Sequence, residues 1–282
     1  MTECIEINPD AWASMKERDP DETIYMINLL KFRDTVKEGL GVDGRKGRDV
    51  WMNKYGAGVN AVAERLDTGL EVVFLHDAHS TMLGLPSEEW DMVAIVRYRT
   101  RANFIEMIED EEYQRVMKYR NGSLENSRLI ESVTEKPNSY PTSVGVKTPN
   151  HCVVGDAHPQ GDQRIKFFKE RSRDEQIFML NLIRFVETTE TGLSGDAGYE
   201  LYKEAFGMFA EGDAVEPWVG YPLATVIGPQ EEAWDTAFLV DYPSRERFRE
   251  IVTSSEYRHS LRPLRQVSVR DSRLVETTPV AQ

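Results

Sequence analysis

The stretch YMINLLKF, residues 25–32, decides the fold. It is apolar and suits a pleated strand, yet it carries an Asn and a Lys. The pattern returns at residues 178–185 as FMLNLIRF, with Asn181 and Arg184 in the places of Asn28 and Lys31. A buried amide without partners costs about 1–3 kcal/mol, so each Asn needs a backbone, side-chain or ligand partner. On a regular strand Asn28 shares a face with Met26, Leu30 and Phe32, and Lys31 shares the opposite face with Ile27 and Leu29. Amide and cation therefore do not enter one pocket, and a feature present twice reads first as part of the fold.

Further blocks recur in the same order. EEWDMVAIVRYRTRANF (88–104) answers EAWDTAFLVDYPSRERF (232–248), Glu112-Tyr113 answers Glu256-Tyr257, and NSRLIES (126–132) answers DSRLVET (271–277). Ordered self-similarity of this kind points to duplication. We expect an N-terminal extension (1–22), a first unit (23–133), a connector rich in Pro, Gly, Ser and Asn (134–175) and a second unit (176–278). IKFFKE (165–170) is a candidate packed element inside the connector, and TVKEGLGVDGRKGRD (35–49) reads as a mobile Gly-rich loop.

Within each unit the periodicity changes in a regular order. After the first strand, Trp51, Tyr55, Val59 and Val62 recur at helical spacing, and Asp67-Thr68-Gly69 supplies a stop. VVFLHDAHSTML and DMVAIVRY alternate as strands around a turn. Thr100 and Ser244 are N-caps for amphipathic helices, and SRLIESV and SRLVETT close the units as strands. The order is β-α-β-β-α-β, the ferredoxin-like unit, whose helices cover one sheet face. The other face also needs cover. The fold expectation is therefore α+β: two ferredoxin-like units fused in tandem, packed sheet to sheet as an internal pseudo-two-fold barrel.

The M-[IL]-N-L-[LI]-[KR]-F block, the WD before a strand, the Y-x-[ST]-R-x-x-F helix start and the [ND]-S-R-L-[IV]-E ending resemble a bacterial domain-of-unknown-function family in the dimeric α+β barrel superfamily. The resemblance implies the fold and leaves activity open. That superfamily includes cofactor-free monooxygenases, lactone isomerases, cyclases and haem-dependent enzymes, and fold does not settle function.

Composition narrows the classes. A chain of 282 residues, 40% hydrophobic and 29% charged, is globular and large enough for two units. A net charge of -14 opposes binding to nucleic acid or anionic membranes. Cys4 and Cys152 read as free thiols of a reducing compartment. The N-terminus has no basic and apolar leader pattern, so the expected location is the cytoplasm. The sequence contains no P-loop, no GxGxxG entering a helix, no GxSxG and no CxxC.

A position that only one copy decorates is the better lead for a single active site. LHDAHS (75–80) carries two histidines where the second unit reads YPLATV. His79, with His76 or Asp77 assisting, is therefore the candidate general acid/base, beside the plain alternative of edge histidines. On a strand, H-x-x-H sends its rings to opposite faces unless a bulge intervenes, so no metal site is expected. Arg97, facing Asp241 in the alignment, is a candidate holder of an anionic group. Asn28 is a candidate to polarise an oxygen and Asn181 a candidate substrate-binding residue, and Tyr55, Trp218 and Tyr221, with Tyr199 and Tyr202, are candidate pocket walls or packing. Tyr98 and Tyr242 read as packing, and Asp91 and Asp235 as residues that tie down the turn before a strand.

The expected function is a soluble small-molecule enzyme acting by acid/base chemistry without an organic cofactor, of isomerase, lyase or cofactor-free monooxygenase type. Its substrate would be mainly apolar and oxygenated or aromatic, and the fold leaves room for a homodimer. The alternatives are a non-catalytic ligand-binding or stress-associated barrel, and a barrel binding haem or a metal through His76 or His79. For haem, His151, His158 and His259 are further axial candidates.

Overall fold

The computed structural model describes residues 4–85, 88–137, 170–229 and 232–281. His151, Cys152, His158 and all of IKFFKE except Glu170 lie outside the described residues. In the first unit the strands are β1 (Ile24–Phe32), β2 (Glu71–Leu83), β3 (Met92–Tyr98) and β4 (Leu124–Val133). In the second they are β5 (Ile177–Phe185), β6 (Val215–Ile227), β7 (Thr236–Tyr242) and β8 (Val269–Pro279). They form one closed antiparallel barrel in the order β1-β3-β2-β8-β5-β7-β6-β4. Each unit supplies a four-stranded sheet, and the β2–β8 and β4–β6 pairs join the two sheets edge to edge. No sheet edge is left open, and this is the structural reason for pairing two such units.

Face assignment follows from strand alternation. Ile27, Leu29, Val93 and Ile95 of the first unit meet Leu180, Leu182, Ala237 and Leu239 of the second inside the barrel. The outward faces carry the helices. Met26, Tyr98 and Leu129 pack under Val59, Phe104, Met107 and Tyr113, while Met179, Val240 and Tyr242 pack under Tyr199, Tyr202, Phe248 and Tyr257. Burying each large side chain contributes about 1.5–3 kcal/mol. Thr100 and Ser244 cap their helices as expected, their hydroxyls accepting from Asn103 N at 3.1 Å and Arg247 N at 3.0 Å.

The N-terminal segment bridges the units. Asn8 caps the helix Pro9–Lys16, and its backbone N–H donates to Val226 O on β6 at 2.8 Å. Residues 35–49, expected to be mobile, are instead anchored. Val36, Val42 and Val50 form their own small core with Leu40 and Tyr119, and Lys37 N donates to Gly122 O at 3.0 Å. Glycine content concealed three valines spaced to meet one another.

The repeated motifs are buried ion pairs. Within the first unit, Arg101 of the helix start donates to Glu131 of the closing strand at 2.7 Å, and neither side chain is exposed. In the second, Arg245 Nε donates to Glu276 Oε1 at 2.8 Å. Between units the exchange is reciprocal. Arg128 donates to Glu232 of the other half at 2.7 Å, and Arg273 pairs with Glu88. Arg128 stands over the Trp90 ring and Arg273 over Trp234. These contacts make one end of the barrel a buried charge network, a device that specifies partner and register more than it adds net stability.

Candidate functional site

Two cavities of about 110 Å³ each lie between a sheet's outer face and its helices, one per unit. The first is built by β1, β3 and the helices at Gly47–Arg65 and Arg101–Ser123. Asn28 projects into it beside Met26, Trp51, Tyr55, Val59, Tyr98, Phe104 and Arg120. The Asn28 Nδ2 donates to Met26 O at 3.1 Å, which ties the amide to its own strand. The Tyr55 and Tyr113 hydroxyls lie 2.9 Å apart, and burial raises the Tyr113 and Tyr98 hydroxyls well above the ordinary phenol range. Trp51 stacks between Phe32 and Tyr55, and its buried Nε1–H has no hydrogen-bond partner. The segment Trp51–Gly56 is a π-helical turn, and such turns re-aim side chains at functional sites.

The second cavity contains Asn181 in the place of Asn28, again with Nδ2 donating to its own strand, at Met179 O, 3.1 Å away. Tyr199, Tyr202, Phe206, Phe238, Tyr257 and Arg265 surround it. Lys203 reaches Glu216 at 2.9 Å and stands over the Phe238 ring.

The opening polar pair therefore divides as strand alternation requires. Asn28 faces the cavity, whereas Lys31 turns the other way and pairs with Asp91 at 2.9 Å. Asp91 and Asp235 also accept from Phe32 N at 2.7 Å and Phe185 N at 2.6 Å, tying each turn to the first strand.

The candidate acid/base residues lie elsewhere. His76 is buried edge-on to Phe178, and its Nδ1 is 3.0 Å from the Thr277 hydroxyl. That hydroxyl spends its one proton on Phe178 O at 3.1 Å, so Nδ1–H of the imidazole is the donor to it. His79 Nε2 lies 2.7 Å from the Thr278 hydroxyl. Thr277 and Thr278 are consecutive on β8, so the two rings engage opposite faces. The β2–β8 register slips between Ala78 and Ser80, a bulge at His79. Burial lowers both imidazoles from 6.5 to about 4, and both are neutral at pH 7. His79 lines its own recess of about 250 Å³ with Lys31, Thr81, Trp90 and Asp91. Asp77 forms an ion pair with Arg48 at 2.5 Å.

Of the residues singled out in the sequence, Asn28 and Tyr55 meet in the first cavity and Asn181 lies in the second. His79 and Asn28 do not line the same cavity. Arg97 makes an exposed pair with Glu71 at 3.3 Å, because it alternates with Val96 and Tyr98, which take the cavity face. Trp218 is buried inside the barrel against Tyr25, and Tyr221 packs on the first unit's core from β6. His259 is exposed and bonded to Ser255 O. Sequence reasoning missed Trp51, Arg120 and Arg265 as cavity residues. Apolar periodicity marked Trp51 as core, and an Arg on a helix reads as a solvated charge until the packing is known.

No family model matches the chain, and no curated protein matches it. Among solved structures, a protein of unknown function from Rhodopseudomonas palustris is 31% identical over 48% of this chain and 100% of its own, with a TM-score of 0.43. A chlorite dismutase variant from Candidatus Nitrospira defluvii is 12% identical over 93% of both chains, with a TM-score of 0.45. A haem-binding protein from Thermus thermophilus is 9% identical over 93% of this chain and 95% of that one, with a TM-score of 0.39.

The expectation that no organic cofactor is involved is corrected by the last of these: haem binding occurs among the structures this chain is similar to, and the fold gives no ground for excluding it. The described residues do not themselves make a haem site in either cavity. Neither is lined by His or Cys, and about 110 Å³ is smaller than a tetrapyrrole. Among the described residues no group of three or more His, Cys, Asp or Glu side chains converges to hold a metal, and no helix is long and apolar enough to cross a membrane.

Proposed function

We propose that the first unit's cavity binds a small, mainly apolar molecule carrying an oxygen acceptor, such as a ketone or lactone carbonyl. The observation that carries this is Trp51, which lines this mainly apolar cavity and whose buried Nε1–H has no partner among the described residues. A buried donor without an acceptor is unfavourable by about 1–3 kcal/mol, and a ligand oxygen would remove that penalty. On the opposite, sheet side Asn28 Nδ2, which gives one proton to Met26 O, has a second proton to donate to the same ligand. A largely apolar cavity with a few directed polar groups is the usual form of a small-molecule site.

Binding is better supported than proton transfer at this place. Among the described residues no His, Asp, Glu or Cys lines the cavity, and burial keeps Tyr98 and Tyr113 protonated near neutrality. Acetophenone and ethylbenzene differ by the acceptor oxygen and are the test pair, titrated by calorimetry. Acetophenone should bind about tenfold more tightly, and Trp51→Phe should erase that preference. Asn28→Leu should weaken acetophenone and spare ethylbenzene. Equal affinities in the wild type, or an unchanged preference in Trp51→Phe, would refute the assignment.

A further inference from the structure

The two cavities are alike in position and unlike in charge. Arg120 and Arg265 occupy equivalent helical places, as the neighbouring contacts show: Arg33 N donates to Ser123 O and Val186 N to Ser268 O, each three residues beyond the arginine. Both guanidinium groups are buried, and both line their cavities. Arg120 is satisfied by neutral oxygens, donating to Ile5 O at 2.7 Å and to the Ser127 hydroxyl at 3.1 Å. Arg265 bonds the Tyr199 hydroxyl but is not fully satisfied. It is 3% exposed, and among the described residues its Nη1 has no hydrogen-bond partner and no carboxylate forms an ion pair with it. The other cation of the cavity, Lys203, is already paired with Glu216.

We propose that the second cavity is a site for a small organic carboxylate, its charge held by Arg265 and its apolar body against Phe206, Phe238 and Phe248. An uncompensated buried charge is strongly unfavourable, and an anion relieves it more fully than a neutral acceptor does. A guanidinium presents a planar fork that matches a carboxylate. The Tyr199 hydroxyl lies beside the same guanidinium, ready to bond a carboxylate oxygen. Cavity size and aromatic walls limit the body to about one ring. The site is separate from the carbonyl site of the first unit and stands or falls independently of it.

Calorimetric titration with benzoate, cyclohexanecarboxylate and the neutral isostere benzamide tests this. In the wild type both carboxylates should bind at least about tenfold more tightly than benzamide. Arg265→Gln should abolish the preference for charge, whereas Trp51→Phe, in the first cavity, should preserve it. Absence of carboxylate binding at millimolar concentration, equal affinity for benzamide, or an unchanged preference in Arg265→Gln would overturn the proposal. So would loss of the preference in Trp51→Phe. Where Arg265→Gln does not fold, intermolecular NOEs from benzoate ring protons to Tyr199 and Phe238 of the wild type decide the matter, and their absence overturns it.

Discussion

Replacing His76 by Phe should remove most of one pH-dependent contribution to stability. The imidazole is 5% exposed and lies with its edge toward Phe74 and Phe178, at ring separations of 5.6 and 4.8 Å. Burial depresses its pKa from 6.5 to about 4. Between those values the unfolded chain binds the proton and the folded chain does not, so stability rises with pH across this window. At about 1.36 kcal/mol per pH unit the full contribution is roughly 3 kcal/mol, present above pH 6.5 and lost below pH 4. At pH 5 about 2 kcal/mol of it should be gone. Glu131 and Glu276, whose carboxyl pKa values are raised by burial, act with the opposite sign, their contribution being lost as pH rises. The informative quantity is therefore the difference between wild type and His76→Phe, in which the carboxylates cancel. Urea unfolding followed by tryptophan fluorescence at pH 7 and pH 5 should show the wild type losing about 2 kcal/mol more than the variant. The Thr277 hydroxyl still donates to Phe178 O in the variant, so no donor is orphaned. Equal losses in the two proteins, or an imidazole titrating near 6.5 by NMR, would refute the reasoning.

Further outcomes concern the frame. Arg245→Met should destabilise by about 3–5 kcal/mol by stranding buried Glu276, and Arg245→Met/Glu276→Leu should recover much of that in urea unfolding; a double variant no more stable than the single would contradict the pairing. Arg101→Met should cost less, because Arg18 also reaches Glu131. Gly195→Ala should destabilise by about 1–3 kcal/mol, since a Cβ there would overlap Val186 O, while Gly207→Ala, with open space around it, should be neutral or stabilising.

The sequence carried the fold because its signals are local and repeated. Strand β1 was readable from alternation in YMINLLKF, and the helix after Thr100 from a cap and three apolar positions. The two-fold arrangement followed from FMLNLIRF and the paired SRL endings. The site was legible only in part. Asn28 and Tyr55 were singled out and share a cavity, but the histidines of LHDAHS lie on another wall, because a strand decides faces residue by residue and a bulge at His79 changes the count.

By itself the sequence determined the order of the elements and the opposite faces on which Asn28 and Lys31 lie, which depend on periods of two or about 3.6 residues. Tertiary structure decided what long-range contact alone can decide. It set Arg128 against Glu232 and Arg273 against Glu88, residues about 100 or more apart in the chain. It also satisfied Arg120 through the N-terminal segment at Ile5 while leaving Nη1 of the equivalent Arg265 without a partner. The two arginines are the same residue in similar local sequence. Their chemistry differs because a guanidinium's partners are set by which distant backbone covers it.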